Sequence, residues 1–463
     1  MGSRLVELSI LVVVRKLSRI YFNPFWIFTV AELFFRFYGL AFSLPAQTDS
    51  DSASYRSGNG FTNWGWVSLT GVTYGRGWPL IALYSTVKHD DGRIVIQAAI
   101  NIIAWIIFGY VGNTYFKDNR ARNIFLVSVF IFSNLASSQN FNNWIGRESL
   151  SFSLLLLATT SIMYLWFTNR MLYFWIAALI IDAFAITKPT LIFIAIGYWI
   201  LLSFYLEKHA RNPRGFIFNL ISVLVLTVYV LINIANQNTG WSRSDPTGRS
   251  EAMINYSYLL SDFNPEANRL RLFFATHGAP ECATRKVIGV ANSLGSPMEY
   301  AATLHTSCRG FDKWVANHFY VQYLRYLVER PEDAFNIIKF QIHSSLAFMP
   351  SGNTFAILPN IFEFHVFQIS ILNICIFAAF ALFLIFNLEK RQKKQMIFDS
   401  KMKFVLLALV FTFLGVFFSL LVQPTHASDI NRQNYVSILF VQLIIIVYPI
   451  FLYDEKRVQN VIP

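Results

Sequence analysis

Long apolar runs recur along the chain, and short polar stretches separate them. A helix needs about 20 mainly apolar residues to cross the hydrocarbon core of a bilayer, because its backbone polar groups must be satisfied within the segment. The pattern predicts an all-α, polytopic membrane protein of about ten transmembrane helices. The predicted spans are residues 22–44, 94–116, 123–141, 149–167, 171–187, 190–206, 216–235, 363–386, 403–423 and 436–453.

Composition agrees with a lipid environment. Hydrophobic residues make up 55% of the chain and charged residues 14%, whereas a soluble domain has about 25% charged residues. A run at residues 6–22, interrupted by three basic residues, predicts an interfacial amphipathic helix before the first span.

A net charge of +12 is compatible with nucleic-acid binding, but the positions of the charges indicate membrane topology instead. Lys and Arg are concentrated in alternate connections between the predicted spans, which is the positive-inside bias. Both termini are therefore predicted to be cytoplasmic, and no nucleic-acid partner is expected. The expected location is a bacterial inner membrane, although a membrane of the endoplasmic reticulum would present the same chemistry to its lumen.

The spans divide the chain into three predicted regions. An N-terminal transmembrane module covers residues 1–235 and includes an outer loop at 45–93. An extracytoplasmic cap covers 236–350, and further transmembrane helices cover 351–463.

The cap is predicted to be helical and to be cross-linked. Apolar residues at helical spacing predict helices at Phe311–Val328 and Pro331–His343. Cys282 and Cys308 both lie in the cap, and a cysteine pair in an oxidising compartment predicts a disulfide. Cys375 lies within a predicted span and is interpreted as a small core residue.

Candidate chemistry starts directly after the first span, in Thr48-Asp49-Ser50-Asp51-Ser52-Ala53-Ser54-Tyr55. Two carboxylates two residues apart can act as a general base or hold a divalent ion such as Mg²⁺ or Mn²⁺. The alternative is a solvated loop, because Asp and Ser favour turns and helix starts.

Further motifs follow on the same predicted face of the membrane. They are Tyr74-Gly75-Arg76-Gly77-Trp78-Pro79-Leu80, Gly146-Arg147-Glu148-Ser149-Leu150, Ile186-Thr187-Lys188-Pro189-Thr190 and Asn431-Arg432-Gln433-Asn434-Tyr435. In order and spacing, this series resembles the GT-C superfamily of membrane glycosyltransferases, mainly over residues 25–210. The segment at 76–80 is one residue shorter than the family pattern and has Trp where many members have Tyr.

The resemblance implies an inverting transfer of a sugar from a polyprenyl-phosphate donor to an acceptor glycan or glycolipid. Asp51 is then the candidate base, Asp49 its substitute or a metal ligand, and Glu148 a residue that orients the acceptor or the base. The remaining expected site residues bind the donor phosphate (Lys188, Arg432, Arg147 and Arg76) or the substrates (Tyr55, Trp78 and His426).

Structural interpretations of these residues remain open. Lys188 and Arg432 lie at predicted helix ends, where cations reach the interface, and Glu148 suits the first turn of a helix. Within the spans, Glu32 and Arg36 are four residues apart and are predicted to pair on one helix face. A carboxylate inside a span, Asp182, is predicted to face the protein interior.

Two other functions also remain open. A polysaccharide polymerase or ligase uses polyprenyl-linked glycans as well, but its basic residues are expected in large outer loops. A transporter or flippase of a lipid-linked substrate is expected to place charged or helix-breaking residues near the membrane midplane, often in paired halves.

Overall fold

The structure, a computed structural model, describes part of the chain, and every regular element in that part is helical. The described residues are 23–43, 78–135, 145–188, 191–209, 217, 220–221, 223–232, 251–261, 264–284, 297–346, 380, 408–412, 414 and 427–461. The interfacial helix predicted at residues 6–22 and almost all of the span predicted at 363–386 lie outside them.

The helices form two groups that each have a core of their own, a bundle and a cap. The bundle starts with α1 (Pro24–Ser43), α2 (Trp78–Ser85), α3 (Asp90–Tyr115), α4 (Asn119–Ser133), α5 (Glu148–Thr168), α6 (Met171–Thr187) and α7 (Ile192–His209). The cap follows with α8 (Glu251–Leu259), α9 (Ala267–Thr276), α10 (Glu281–Thr284), α11 (Pro297–Ser307), α12 (Phe311–Glu329) and α13 (Pro331–Leu346). The last described helix, α14 (Ala427–Val461), returns to the bundle and packs against α4 and α5.

Within the described residues, two helices are long and apolar enough to cross a membrane, judged by length and composition. They are α3, with 26 residues, and α5, with 21 residues. Shorter apolar helices occur at Met171–Thr187, Ile192–Tyr205, Val223–Ile232 and Leu439–Asp454. The all-helical prediction is confirmed for this part of the chain, and the count of about ten spans stays a prediction.

The outward surface of the bundle is rich in large apolar side chains. On α1, Val30 is 65% exposed and Phe34 is 62% exposed. On α4, Val127 is 57% exposed, and in the helical residues 223–232 Leu224 and Val225 are each 61% exposed. Soluble monomers rarely expose apolar patches of this kind, so this surface suits contact with an apolar medium.

A polar contact fixes the direction in which α14 runs along the bundle. Its Asp454 is buried, and the carboxylate oxygen Oδ1 accepts hydrogen bonds from the backbone N–H groups of Lys117 at 3.1 Å and Asp118 at 2.8 Å. These two residues form the turn between α3 and α4. The C-terminal part of α14 therefore lies at the α3–α4 turn, and its N-terminal part lies toward the opposite end, where α3 begins.

The cap has an aromatic core and a disulfide. Tyr256, Phe274 and Phe319 are buried together in it. Cys282 and Cys308 are bonded, with their Cα atoms 5.6 Å apart, so the predicted pairing is present in the structure.

A carboxylate joins the helices at one side of the cap. Asp333 on α13 accepts hydrogen bonds from Arg269 on α9 and from the Tyr326 hydroxyl on α12. Burial, followed by the neighbouring Asp333 carboxylate, raises the pKa of Tyr326 above its ordinary value. The tyrosine therefore stays neutral and keeps its proton for this hydrogen bond.

Candidate functional site

Two of the motifs are brought together by the hairpin of α5 and α6. The hairpin turns at Asn169, which has a left-handed backbone (φ 52°) and donates its N–H to the Leu165 carbonyl. Asn tolerates this conformation better than most residues. Since α5 and α6 differ by only four residues in length, 21 against 17, the start of α5 and the end of α6 lie at the same end of the bundle. Glu148 is the first residue of α5, and Lys188 directly follows α6.

Glu148 and Lys188 form an ion pair that is removed from solvent. The Lys188 Nζ is 3.5 Å from Glu148 Oε1, and the two side chains are 0% and 6% exposed. Each charge also suits its helix end, because a carboxylate is favoured at the start of a helix and a cation at its end. A lysine shielded in this way presents its charge in a region of low dielectric, where it interacts more strongly than it would in water.

The turn before α5 is shaped around the Glu148 carboxylate. At Gly146, an added Cβ would lie 2.7 Å from Glu148 Oε2, so any side chain there would displace the carboxylate. The Gly146 carbonyl oxygen accepts a hydrogen bond of 2.7 Å from the Tyr84 hydroxyl on α2. Helix α2 also packs against α3 and α6, so the segment that begins at Trp78 lies at this end of the bundle.

A column of polar side chains runs from this end into the bundle along α3. Arg93, Gln97 and Asn101 follow one another at intervals of four residues, and all three are buried. Arg93 Nε donates to the Tyr84 carbonyl oxygen at 3.1 Å, and the Tyr84 hydroxyl also lies within hydrogen-bond distance of Gln97. Asn101 Nδ2 donates to Ser153 Oγ on α5 at 2.9 Å. We name Arg93, Gln97 and Asn101 the α3 column.

The column meets the predicted ion pair of α1. Arg36 donates to Asn101, and its Nε is 3.2 Å from Glu32 Oε1. The other oxygen of Glu32 accepts hydrogen bonds from Ser133 Oγ at 2.8 Å and Asn134 Nδ2 at 2.9 Å, at the end of α4. The prediction that Glu32 and Arg36 pair is confirmed, and the contacts join α1, α3 and α4.

Asp182 lies inside α6 with 4% exposure, so the prediction that it faces the interior is confirmed. Its Oδ1 accepts a hydrogen bond of 3.1 Å from Trp199 Nε1 on α7. The other carboxylate oxygen has no hydrogen-bond partner among the described residues. Asp182 thus belongs to the α6–α7 contact and not to the α3 column.

The structure places some of the predicted site residues and leaves others outside its described part. Glu148, Lys188 and the partly buried Arg147 lie together, and the start of α2 adds the backbone of Trp78. Arg432 lies in the N-terminal part of α14, which runs toward the same end of the bundle. Asp49, Asp51, Tyr55, Arg76 and His426 lie outside the described residues, so their roles stay predictions.

A metal site is not found in the part of the chain that the structure describes, where no three His, Cys, Asp or Glu side chains are grouped for a metal ion. The metal prediction concerned Asp49 and Asp51, both outside that part. The proposal of Mg²⁺ or Mn²⁺ at those two residues is therefore untested.

Sequence reasoning missed two elements of this end of the bundle. The α3 column had a visible signal, since three polar residues at intervals of four share one face of an apolar helix. Tyr84 had none, because its contacts with Gln97 and the Gly146 carbonyl join residues 13 and 62 positions apart in sequence.

Comparisons of the chain with models of protein families, with curated proteins and with solved structures find no match.

Proposed function

We propose that this chain is a polytopic membrane glycosyltransferase of the GT-C type. It transfers a sugar from a polyprenyl-phosphate donor to an acceptor glycan or glycolipid at the extracytoplasmic face, with inversion at the anomeric carbon. The observation that carries the proposal is the shielded pair of Glu148 and Lys188, which joins two of the motifs on which the resemblance rests.

The surface of the bundle supports the membrane part of this proposal. The exposed side chains of α1, α4 and residues 223–232 are large and apolar, while the charged groups Glu32 and Arg36 are buried inside. This distribution is the reverse of that in a water-soluble bundle, and it suits lipid around the helices. A donor with a polyprenyl tail needs this medium beside the site that holds its phosphate.

The reaction requires a base and a cation. The acceptor hydroxyl oxygen attacks the anomeric carbon, and its proton passes to a carboxylate, for which Asp51 is the candidate. The bond between the anomeric carbon and the phosphate oxygen breaks, and its electron pair stays on the polyprenyl phosphate that leaves. Lys188 is the candidate cation that stabilises the negative charge developing on this phosphate.

Glu148 has a positioning role in this scheme. Its carboxylate, 3.5 Å from Lys188 Nζ, keeps the flexible lysine side chain at the bundle end in the absence of substrate. The distance is longer than that of a close charge-assisted hydrogen bond, about 2.8 Å. The two groups therefore form an ion pair and not a short charge-assisted hydrogen bond.

Sugar transfer from a panel of polyprenyl-phosphate sugars, measured with the purified protein in lipid, tests the proposal. We expect turnover by the native chain and its loss in Asp51→Asn and Lys188→Met. Removal of one stabilising group of this kind lowers turnover by about 10²- to 10³-fold. The matched control is Lys117→Met, at the turn between α3 and α4, which should keep native turnover.

The outcome that contradicts the proposal is equally specific. Native turnover by a folded Asp51→Asn variant excludes Asp51 as the base, and native turnover by Lys188→Met excludes Lys188 as the phosphate partner. An absence of turnover with every donor contradicts the enzyme class itself.

The buried α3 column and the Glu32–Arg36 pair favour one other candidate, a transporter or flippase of a lipid-linked substrate. Charged and polar groups inside a membrane bundle often line a substrate path. The same reconstituted protein separates the two functions. Movement of intact donor between the leaflets without release of polyprenyl phosphate is expected of a flippase and not of a transferase.

A further inference from the structure

Helix α12 of the cap has apolar residues on two sides. Its inner side packs into the cap core through Phe319, Tyr323 and Tyr326, which are all buried. On its outer side, Val321 is 65% exposed, Leu324 is 59% exposed and Val328 is 80% exposed. We name these three residues the α12 stripe.

The α12 stripe forms one continuous surface. A helix advances by about 100° per residue, so Val321, Leu324 and Val328 point within an arc of about 60°. This arc does not pack into the cap core, since the core contacts of α12 come from the opposite side of the helix. A helix that is apolar on both sides has its second apolar side against another partner.

The charges beside the stripe indicate the chemistry of that partner. Lys313 near the start of α12 and Arg330 after its end are exposed, while Arg325, between the stripe residues, is exposed and paired with Glu329. Apolar residues flanked by Lys and Arg are typical of helices that lie in the interface of a bilayer with anionic lipids. Helix α12 is not among the described helices that fit a membrane span, and an amphipathic helix with basic flanks lies in the plane of the interface.

The position of the next helix places such a surface within reach. Helix α13 starts directly after Arg330, packs against α12 and also packs against α14 of the bundle. Helix α13 also has an exposed apolar residue, Phe335, which is 65% exposed, and an exposed basic residue, Lys339. The cap is thus attached to the bundle by the helix that follows the stripe.

We propose that the α12 stripe lies in the lipid interface and makes the cap a membrane-contacting element. The lipid surface holds the cap from one side while the α13–α14 contact holds it from the other. The cap then has a fixed position relative to the bundle. This inference rests on the membrane placement of the bundle and not on the transfer reaction.

Fluorescent labels on single cysteines in the full chain, reconstituted in vesicles of neutral and anionic phospholipid, test the inference. The background variant is Cys375→Ser, since the two other cysteines of the chain form the disulfide. The label is placed at Val321→Cys on the stripe and, as the matched control, at Ala316→Cys. Ala316 is also exposed on α12, but it points about 140° away from Val321.

We expect a nitroxide on the lipid acyl chain to quench the Val321 label about threefold more than the Ala316 label, because only the stripe enters the interface. Iodide in the water should quench the two labels in the opposite order. A label at Leu324→Cys repeats the measurement at a second exposed stripe position and should follow Val321.

A label at Val30→Cys on α1 reports the membrane placement of the bundle separately. Lipid quenching at Val30 together with equal iodide quenching at Val321 and Ala316 would overturn the inference alone. Protection of Val321 from iodide without quenching by lipid would also overturn it, since another protein or a second copy of the chain then covers the stripe. Absence of lipid quenching at Val30 would overturn the membrane placement as well.

Discussion

Replacement of Glu32 by Gln removes the negative charge from the centre of the polar contacts between α1, α3 and α4. Glu32 is 0% exposed and accepts hydrogen bonds from Arg36, Ser133 and Asn134. The side chain of Arg36 is 2% exposed, so water cannot replace the lost carboxylate. A buried charge without its partner lowers the free energy of unfolding by about 3–5 kcal/mol. We expect a loss near 3 kcal/mol, because Asn101 still accepts a hydrogen bond from Arg36.

Reversible unfolding by SDS in mixed micelles, followed by circular dichroism, gives this free energy. The double variant Glu32→Gln/Arg36→Met removes both charges, and we expect it to recover most of the loss, since replacing a buried ion pair by neutral groups is close to neutral. Glu329→Gln is the matched control. Glu329 pairs with Arg325 at the same spacing of four residues, but both side chains are about half exposed, so the expected loss is under about 1 kcal/mol.

Two results would refute this reasoning. A loss below about 1 kcal/mol in Glu32→Gln would mean that Arg36 finds another partner or that water reaches it. The other result is a loss of unfolding free energy in the double variant that equals the sum of the losses in Glu32→Gln and Arg36→Met. It would mean that the two residues contribute independently.

Three further predictions concern other contacts. Gly146→Ala should displace the Glu148 carboxylate and lower sugar transfer by about tenfold or more, with little change in the free energy of unfolding. Unchanged transfer would show that the position of the Glu148 carboxylate does not affect the reaction. Asp454→Ala removes two hydrogen bonds to backbone N–H groups, and SDS unfolding should show a loss of about 3 kcal/mol; a loss close to zero would show that α14 is held by apolar contacts alone. Cys308→Ser opens a cross-link between residues 26 positions apart, and the cap should lose about 3 kcal/mol, measured as faster proteolysis within residues 251–346; an unchanged cleavage rate would contradict a stabilising role.

The ends of some helices could be predicted from the sequence, and the reason is local. The spans predicted at 149–167 and 171–187 agree with α5 and α6 to within one residue. Here a polar turn, Thr168 to Arg170, interrupts two apolar runs. Helix α14 is longer than its predicted span of 436–453, because polar residues at both ends continue the helix and a hydropathy pattern does not register them.

The span predicted at 123–141 was too long, because α4 ends at Ser133. Ser133 and the following Asn134 donate to the carboxylate of Glu32, which lies 101 and 102 residues earlier. The hydrophobic pattern around residue 133 cannot indicate a contact with Glu32, because Glu32 is so distant in sequence. The helix ends where the chain also becomes polar, since Asn134, Ser137, Ser138, Gln139 and Asn140 follow its last residue closely.

The candidate site was predicted residue by residue but not as a set of contacts. Charge placement put Glu148 and Lys188 on one face, and the structure adds that they pair at 3.5 Å. Their approach depends on the matched lengths of α5 and α6, which can be read from the sequence. The part played by Gly146 and Tyr84 depends on tertiary packing between residues far apart, and the carboxylates of residues 49 and 51 stay predictions.

The contact of Asp454 with the α3–α4 turn has a consequence for the biosynthesis of this protein. The two partners are 336 and 337 residues apart. Ribosomes add about 5–20 residues per second, so tens of seconds pass between the synthesis of the turn and that of its acceptor. During that time the turn keeps unpaired N–H groups, and α4 and α5 lack the helix that covers them. The early helices must therefore persist as an incomplete assembly, open to chaperones and proteases, until α14 is inserted.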